Sequence, residues 1–124
     1  MNITLKELQE KIHGNAVNKG FWDKEKNFAE ELMLVVTELS ESVEAHRNDK
    51  KAKVGKHKMR LSMNSEKFTE SFEENIKDSV EDELADSIIR VIDLCAGLNI
   101  DIEYFIKEKM KYNETREYLH GKKY

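Results

Sequence analysis

FTESFEENIKDSVEDELADSIIRVIDLCAG, residues 68–97, sets Phe68, Phe72, Ile76, Val80, Leu84 and Ile88 four residues apart. An apolar repeat of four lines one side of an α-helix. The ladder predicts a third helix that begins between Ser65 and Ser71 and runs to Ala96, as one element or as a short helix followed by a long one. From Leu84 to Leu98 most positions are apolar in every direction, and a helix greasy nearly all round is buried on more than one side. Gly97 fits a C-cap position.

The flanking segments read the same way. Leu5, Leu8 and Ile12 follow Thr4, a good N-cap, and predict a first helix over Thr4–Asn18. Lys19-Gly20 breaks it, and Phe21-Trp22 forms a short connection. Asn27 opens a second helix, with Glu30 three residues on in a capping-box-like arrangement. Its expected core stripe is Phe28, Leu32, Val35, Val36, Leu39 and Val43, ending near Arg47. Residues 48–64 read as a basic loop holding Lys50, Lys51, Lys53, Lys56, Lys58 and Arg60. Asp101 caps a fourth helix containing Ile102, Phe105, Ile106 and Met110, which fades around Tyr118 and leaves residues 119–124 as an irregular tail.

Composition agrees. The chain has 124 residues, no proline and 5 glycines, which suits long helices better than a sheet with tight turns. That length predicts a single helical domain spanning 1–124, all-α, a bundle of four to five helices. A domain so small buries a modest share of its surface, so the core is expected to be completed by oligomerisation, as a homodimer or homotetramer. Charged residues make up 37% with a formal net charge of −4, which argues against bulk nucleic-acid binding. Cys95, the single cysteine, sits in an apolar run and reads as a small buried hydrophobe. The amphipathic, acid-bearing N-terminus is no signal peptide, and no apolar stretch reaches the roughly 18 residues of a membrane span. The expectation is a cytoplasmic protein without membrane contact.

Two segments carry the chemistry: E-L-S-E at 38–41 and E-L-A-D at 83–86. Residues three apart project from the same side of a helix, so Glu38 with Glu41, and Glu83 with Asp86, form two-carboxylate pincers. In an acidic chain such pairs usually belong to a solvated face. Here their helices are apolar on several sides, where ionised carboxylates pay for desolvation and for each other's charge. A divalent cation offsets both. Mg²⁺ takes about six oxygens, commonly from carboxylates together with substrate phosphates. Four carboxylates without Cys or His are poor zinc ligands. A ferritin-like di-metal oxidase needs Glu-x-x-His, and neither Glu41 nor Glu83 has a histidine three residues on. On the fourth helix Lys109, Asn113 and Arg116 share the inward side with Ile102, Phe105 and Ile106. That stripe suits phosphate oxygens, unless it snorkels or pairs with the acids.

The order E-L-S-E, E-L-A-D and K-M-K-Y-N-E-T-R resembles the MazG-like all-α NTP pyrophosphohydrolase superfamily over about Leu8 to Arg116, closest to its dCTP pyrophosphatase branch. The resemblance implies a Mg²⁺-dependent enzyme that cleaves a nucleoside triphosphate to the monophosphate and pyrophosphate, in nucleotide pool control or house-cleaning. It implies Glu38, Glu41, Glu83 and Asp86 as magnesium ligands and Lys109, Asn113 and Arg116 as triphosphate ligands. Glu44 extends the first motif, and Glu41 or Glu44 is expected to act as general base toward the attacking water. His13 and Trp22 match the branch's base pocket, with Trp22 stacking on a base and His13 bonding its edge. Core packing of the first helix is the other reading of that pair. The chain departs from the family in a longer stretch between Glu41 and Glu83 and in Arg90, which stands where an aromatic is expected. The alternative from another class is a non-catalytic helical module that senses nucleotide or binds a partner.

Overall fold

A computed structural model describes residues 2–124. They form six α-helices and no strand: α1 (Leu5–Asn18), α2 (Phe28–Arg47), α3 (Val54–Met63), α4 (Phe68–Asn75), α5 (Val80–Gly97) and α6 (Ile102–Glu114). Two short 3₁₀ turns lie at Ser65–Lys67 and Tyr118–Gly121. The protein is all-α, with one helix more than the four to five expected.

Three helix starts follow directly from their capping residues. Thr4 Oγ1 accepts from the Glu7 amide at 3.1 Å, Asn27 Oδ1 from the Glu30 amide at 3.1 Å, and Asp101 Oδ1 from the Tyr104 amide at 3.3 Å. Each satisfies one of the amides that a helix N-terminus leaves without a partner. The ladder from Phe68 to Ile88 is interrupted between α4 and α5. Ser79 is buried and its hydroxyl accepts from the Asp82 amide at 3.1 Å, while Asp82 Oδ2 accepts from the Asp78 amide at 2.9 Å. This reciprocal cap starts α5 afresh. Asp78 itself takes a left-handed φ of 64°.

The expected loop over 48–64 is largely the helix α3. No side chain caps it, and its stability comes from α4. Arg60 pairs with Glu70 at 2.9 Å and with Glu74, and His57 Nδ1 lies 2.9 Å from the Ser71 hydroxyl. The His57 ring meets Phe68 edge-on at 5.7 Å. At the other end of the chain, Leu119 and His120 adopt left-handed φ inside the 3₁₀ turn of the expected irregular tail.

The chain divides into two compact units: Glu25–Val91, and the segment up to Lys24 with Ile92–Tyr124. In the second, α1 packs against α6, and Gln9 donates to the Ile100 carbonyl at 2.8 Å. In the first, the expected core stripe of α2 is mostly exposed. Of Phe28, Leu32, Val35, Val36, Leu39 and Val43, only Val35 is buried. The side of α2 that is covered carries Val35, Ser42 and Ala45, with Glu38 between them.

Candidate metal centre

Glu38 lies on the covered side of α2, its side chain 12% exposed, and Arg90 of α5 donates from Nε to its Oε1 at 2.9 Å. Glu83 is deeper still, 6% exposed on the first turns of α5. Oxygens of Glu38, Glu83 and Asp86 lie within 4.8 Å of one another, close enough to share one cation. Glu41 approaches Glu83 from α2. The structure thus brings Glu38, Glu83 and Asp86 together and sets Glu41 beside Glu83. A second acidic group, Asp78, Asp82 and Glu83, shares Glu83 with the first.

The electrostatics follow from burial and crowding. Desolvation first, then the neighbouring Glu41 and Glu38, push the Glu83 carboxyl up to about 7. Desolvation also raises Asp86, helped by Asp82, Glu38 and Glu41 and opposed by Arg90. Glu83 Oε2 is buried without a hydrogen-bond partner. A buried carboxylate oxygen normally has one, and an all-oxygen carboxylate set suits a hard divalent cation. These residues could hold a metal ion.

Glu44 points elsewhere. It meets Arg47 at 3.7 Å and accepts from Asn48 Nδ2 at 3.2 Å, exposed on the last turn of α2. A cavity of about 410 Å³ opens beside Asp86, lined by Phe68, Phe72, Lys77, Asp78 and Asp82 among others. The sequence allowed a short helix followed by a long one here, but the apolar ladder did not place the break that opens this aromatic wall. The Ser79-x-x-Asp82 cap was the available signal for the break.

In the other unit the structure joins His13 and Trp22, with ring centroids 5.1 Å apart at 73°. Both are held by Asp93. His13 Nδ1 lies 2.8 Å from Asp93 Oδ1, and Trp22 Nε1 donates to both carboxylate oxygens at 3.0 and 3.1 Å. A Cβ added at Gly97 would collide with the six-membered ring of Trp22, so Gly97 serves as the seat of the indole. The left-handed residue after α5 is Asn99, with φ 58°, rather than Gly97. On α6, Lys109 Nζ sits 4.9 Å from the Tyr112 ring centroid, and the Arg116 guanidinium 5.6 Å from the same ring. Arg116 also donates to the His120 carbonyl at 3.4 Å. Asn113 Oδ1 is buried without a partner. Cys95 is half-buried, and burial pushes its thiol up.

Among the described residues no helix is long and apolar enough to cross a membrane. Comparison of the chain with known protein families, with curated proteins and with solved structures finds no match.

Proposed function

We propose that this chain is a Mg²⁺-dependent nucleoside triphosphate pyrophosphohydrolase of the MazG-like kind, acting as a cytoplasmic homo-oligomer and releasing pyrophosphate from a (d)NTP. The observation that carries the reading is Glu83, a buried carboxylate with an unpartnered oxygen, crowded by Glu38, Glu41 and Asp86. Like charges so placed stay ionised together only with a cation among them.

Glu38, Glu41, Glu83 and Asp86 would hold the ion. Bound there, Mg²⁺ supplies charge neutralisation at the phosphates and a water of lowered pKa. Glu41, exposed on α2 beside Glu83, takes the proton of the attacking water, with Glu44 one turn further along the helix as the other candidate base. Lys109, Asn113 and Arg116 are assigned to the triphosphate, and the orphaned Asn113 oxygen is consistent with a polar ligand there. His13 and Trp22 are assigned to the base, with His13 Nδ1 and Trp22 Nε1 turned toward Asp93.

The decisive experiment is a panel of canonical and modified dNTPs with Mg²⁺, scored for pyrophosphate against orthophosphate. Pyrophosphate with the monophosphate is expected. Orthophosphate alone would move the scissile bond and refute the reading, as would wild-type turnover in Glu41→Gln at saturating Mg²⁺. One observation favours the non-catalytic alternative, a helical module whose acids and bases pair: the Arg90–Glu38 bond. Such a module predicts no Mg²⁺-dependent rise in melting temperature, whereas a binding site is stabilised as ligand concentration grows.

A further inference from the structure

Residues 50–65 hold six cations, Lys50, Lys51, Lys53, Lys56, Lys58 and Arg60, and no acid, in a chain of net charge −4. The fold uses one of the six internally, since Arg60 pairs with Glu70 and Glu74 of α4. The five lysines are exposed. The lysine ion pairs among the described residues engage Lys26, Lys67, Lys107 and Lys111 instead.

Lys50, Lys51 and Lys53 converge with Lys77 on a recess of about 360 Å³ inside the unit Glu25–Val91. Two stretches of chain form it and are bonded to each other. The Lys53 amide donates to the Asn75 carbonyl at 2.7 Å, and the Val80 amide donates to the Lys50 carbonyl at 2.9 Å. Between them the Ala52 amide donates to both carboxylate oxygens of Glu81 at 3.2 Å. The backbone under the lysines is therefore fixed.

Three acids also line the recess: Asp49, Glu74 and Asp78. Arg60 neutralises Glu74, which leaves four lysines against two carboxylates. Helix α3 adds to the excess, because it starts at Lys53 with no side-chain cap and no acid in its first turn. Acids usually occupy that end of a helix, where the backbone dipole is positive. Crowded like charges repel, and a bound anion offsets them.

We propose that this recess binds a compact multivalent phosphate anion, of which inorganic pyrophosphate is the simplest. Lysine serves phosphate as a point charge, and several around one volume suit an anion of high charge. No aromatic side chain lines the recess, so a nucleobase would have no ring to stack on. The site shares no residue with those assigned to catalysis, and its occupancy stands apart from that reading.

The test is isothermal titration calorimetry of the full chain with sodium pyrophosphate, at low ionic strength in metal-stripped buffer. Saturable binding is expected. Lys51→Gln with Lys53→Gln should weaken it by roughly tenfold or more, while Lys51→Arg with Lys53→Arg retains it. Lys109→Gln with Arg116→Gln should leave it unchanged. Thermal melting gives a second reading. Pyrophosphate should raise the melting temperature of wild type but not of the double Gln variant, which without ligand should melt no lower than wild type. Absence of saturable binding overturns the proposal, as does binding indifferent to Lys51 and Lys53. Binding lost with Lys109 and Arg116 overturns it too, because the anion then sits at the residues assigned to the triphosphate. A double Gln variant that melts lower without ligand also overturns it, since the lysines would then serve the fold. Duplex DNA bound with the same lysine dependence, while pyrophosphate is not, overturns the ligand class.

Discussion

The Nε of Arg90 donates to Oε1 of Glu38 across 52 residues of sequence, at 2.9 Å, beside the crowded Glu83. Arg90 is thus a resident cation at the edge of the acidic group, and it competes with a divalent ion for Glu38. Replacing it by Met removes the competitor and leaves the acids facing one another. Arg90→Met is expected to melt several degrees lower than wild type without metal and to gain more from added Mg²⁺. Thermal denaturation over a Mg²⁺ titration measures both. Unchanged melting in both conditions would show that the pair carries no electrostatic weight.

Glu83 gives the metal-free protein an inverted pH profile. Its carboxyl is raised from 4.5 to about 7, so between those values the folded chain holds a proton that the unfolded chain has lost. Stability from this group is full below the unfolded value and is lost as pH rises through the folded one. Asp86, also raised, adds in the same direction. Without metal, the melting temperature should fall from pH 5 to pH 8. With Mg²⁺, which needs the ionised carboxylates, the stabilisation should grow over that range. A metal-free profile that rises, or a Glu83→Gln variant that keeps the wild-type slope, contradicts this.

Glu41 and Glu44 are separable as bases. Glu41 faces Glu83, whereas Glu44 turns to Arg47 and Asn48. Glu41→Gln should lower kcat by about 10²–10⁴-fold. Glu44→Gln should cost less than about tenfold, the scale of a group outside the proton path. Equal losses would return Glu44 to the reaction.

Gly97 tests how Trp22 is held. Gly97→Ala forces a methyl into the indole and should destabilise by about 1–3 kcal/mol. Adding Trp22→Leu should recover part of that loss, since the obstructing ring is gone. Urea unfolding followed by circular dichroism reads both variants. Full wild-type stability in Gly97→Ala would mean that the indole is free to move away.

Legibility in the sequence followed the range of the interaction. The fourfold ladder and the caps at Thr4, Asn27 and Asp101 were readable, because each bond spans three or four residues. A short helix followed by a long one was one of the two readings of the ladder, and Ser79 and Asp82 are what place the break before α5. Helix α3 was not readable. It has no cap, and residues 68–75 hold it through Arg60 and His57. The candidate acids were recognisable as pincers, whereas Asp93 as the anchor of His13 and Trp22 was not.

By itself the sequence determined where the backbone coils and which residues stand on each side of a helix, since both depend on neighbours within one turn. It left open which side is covered. The stripe of Leu32, Val36, Leu39 and Val43 looked like a core, yet the buried side of α2 bears Val35, Ser42 and Ala45, with Glu38 reached by Arg90 of α5. Only the tertiary structure decided that Glu83 is buried among acids, that Arg90 reaches Glu38, and that Trp22 rests on Gly97. Desolvation and charge crowding act through space, between residues whose separation along the chain carries no trace of their distance.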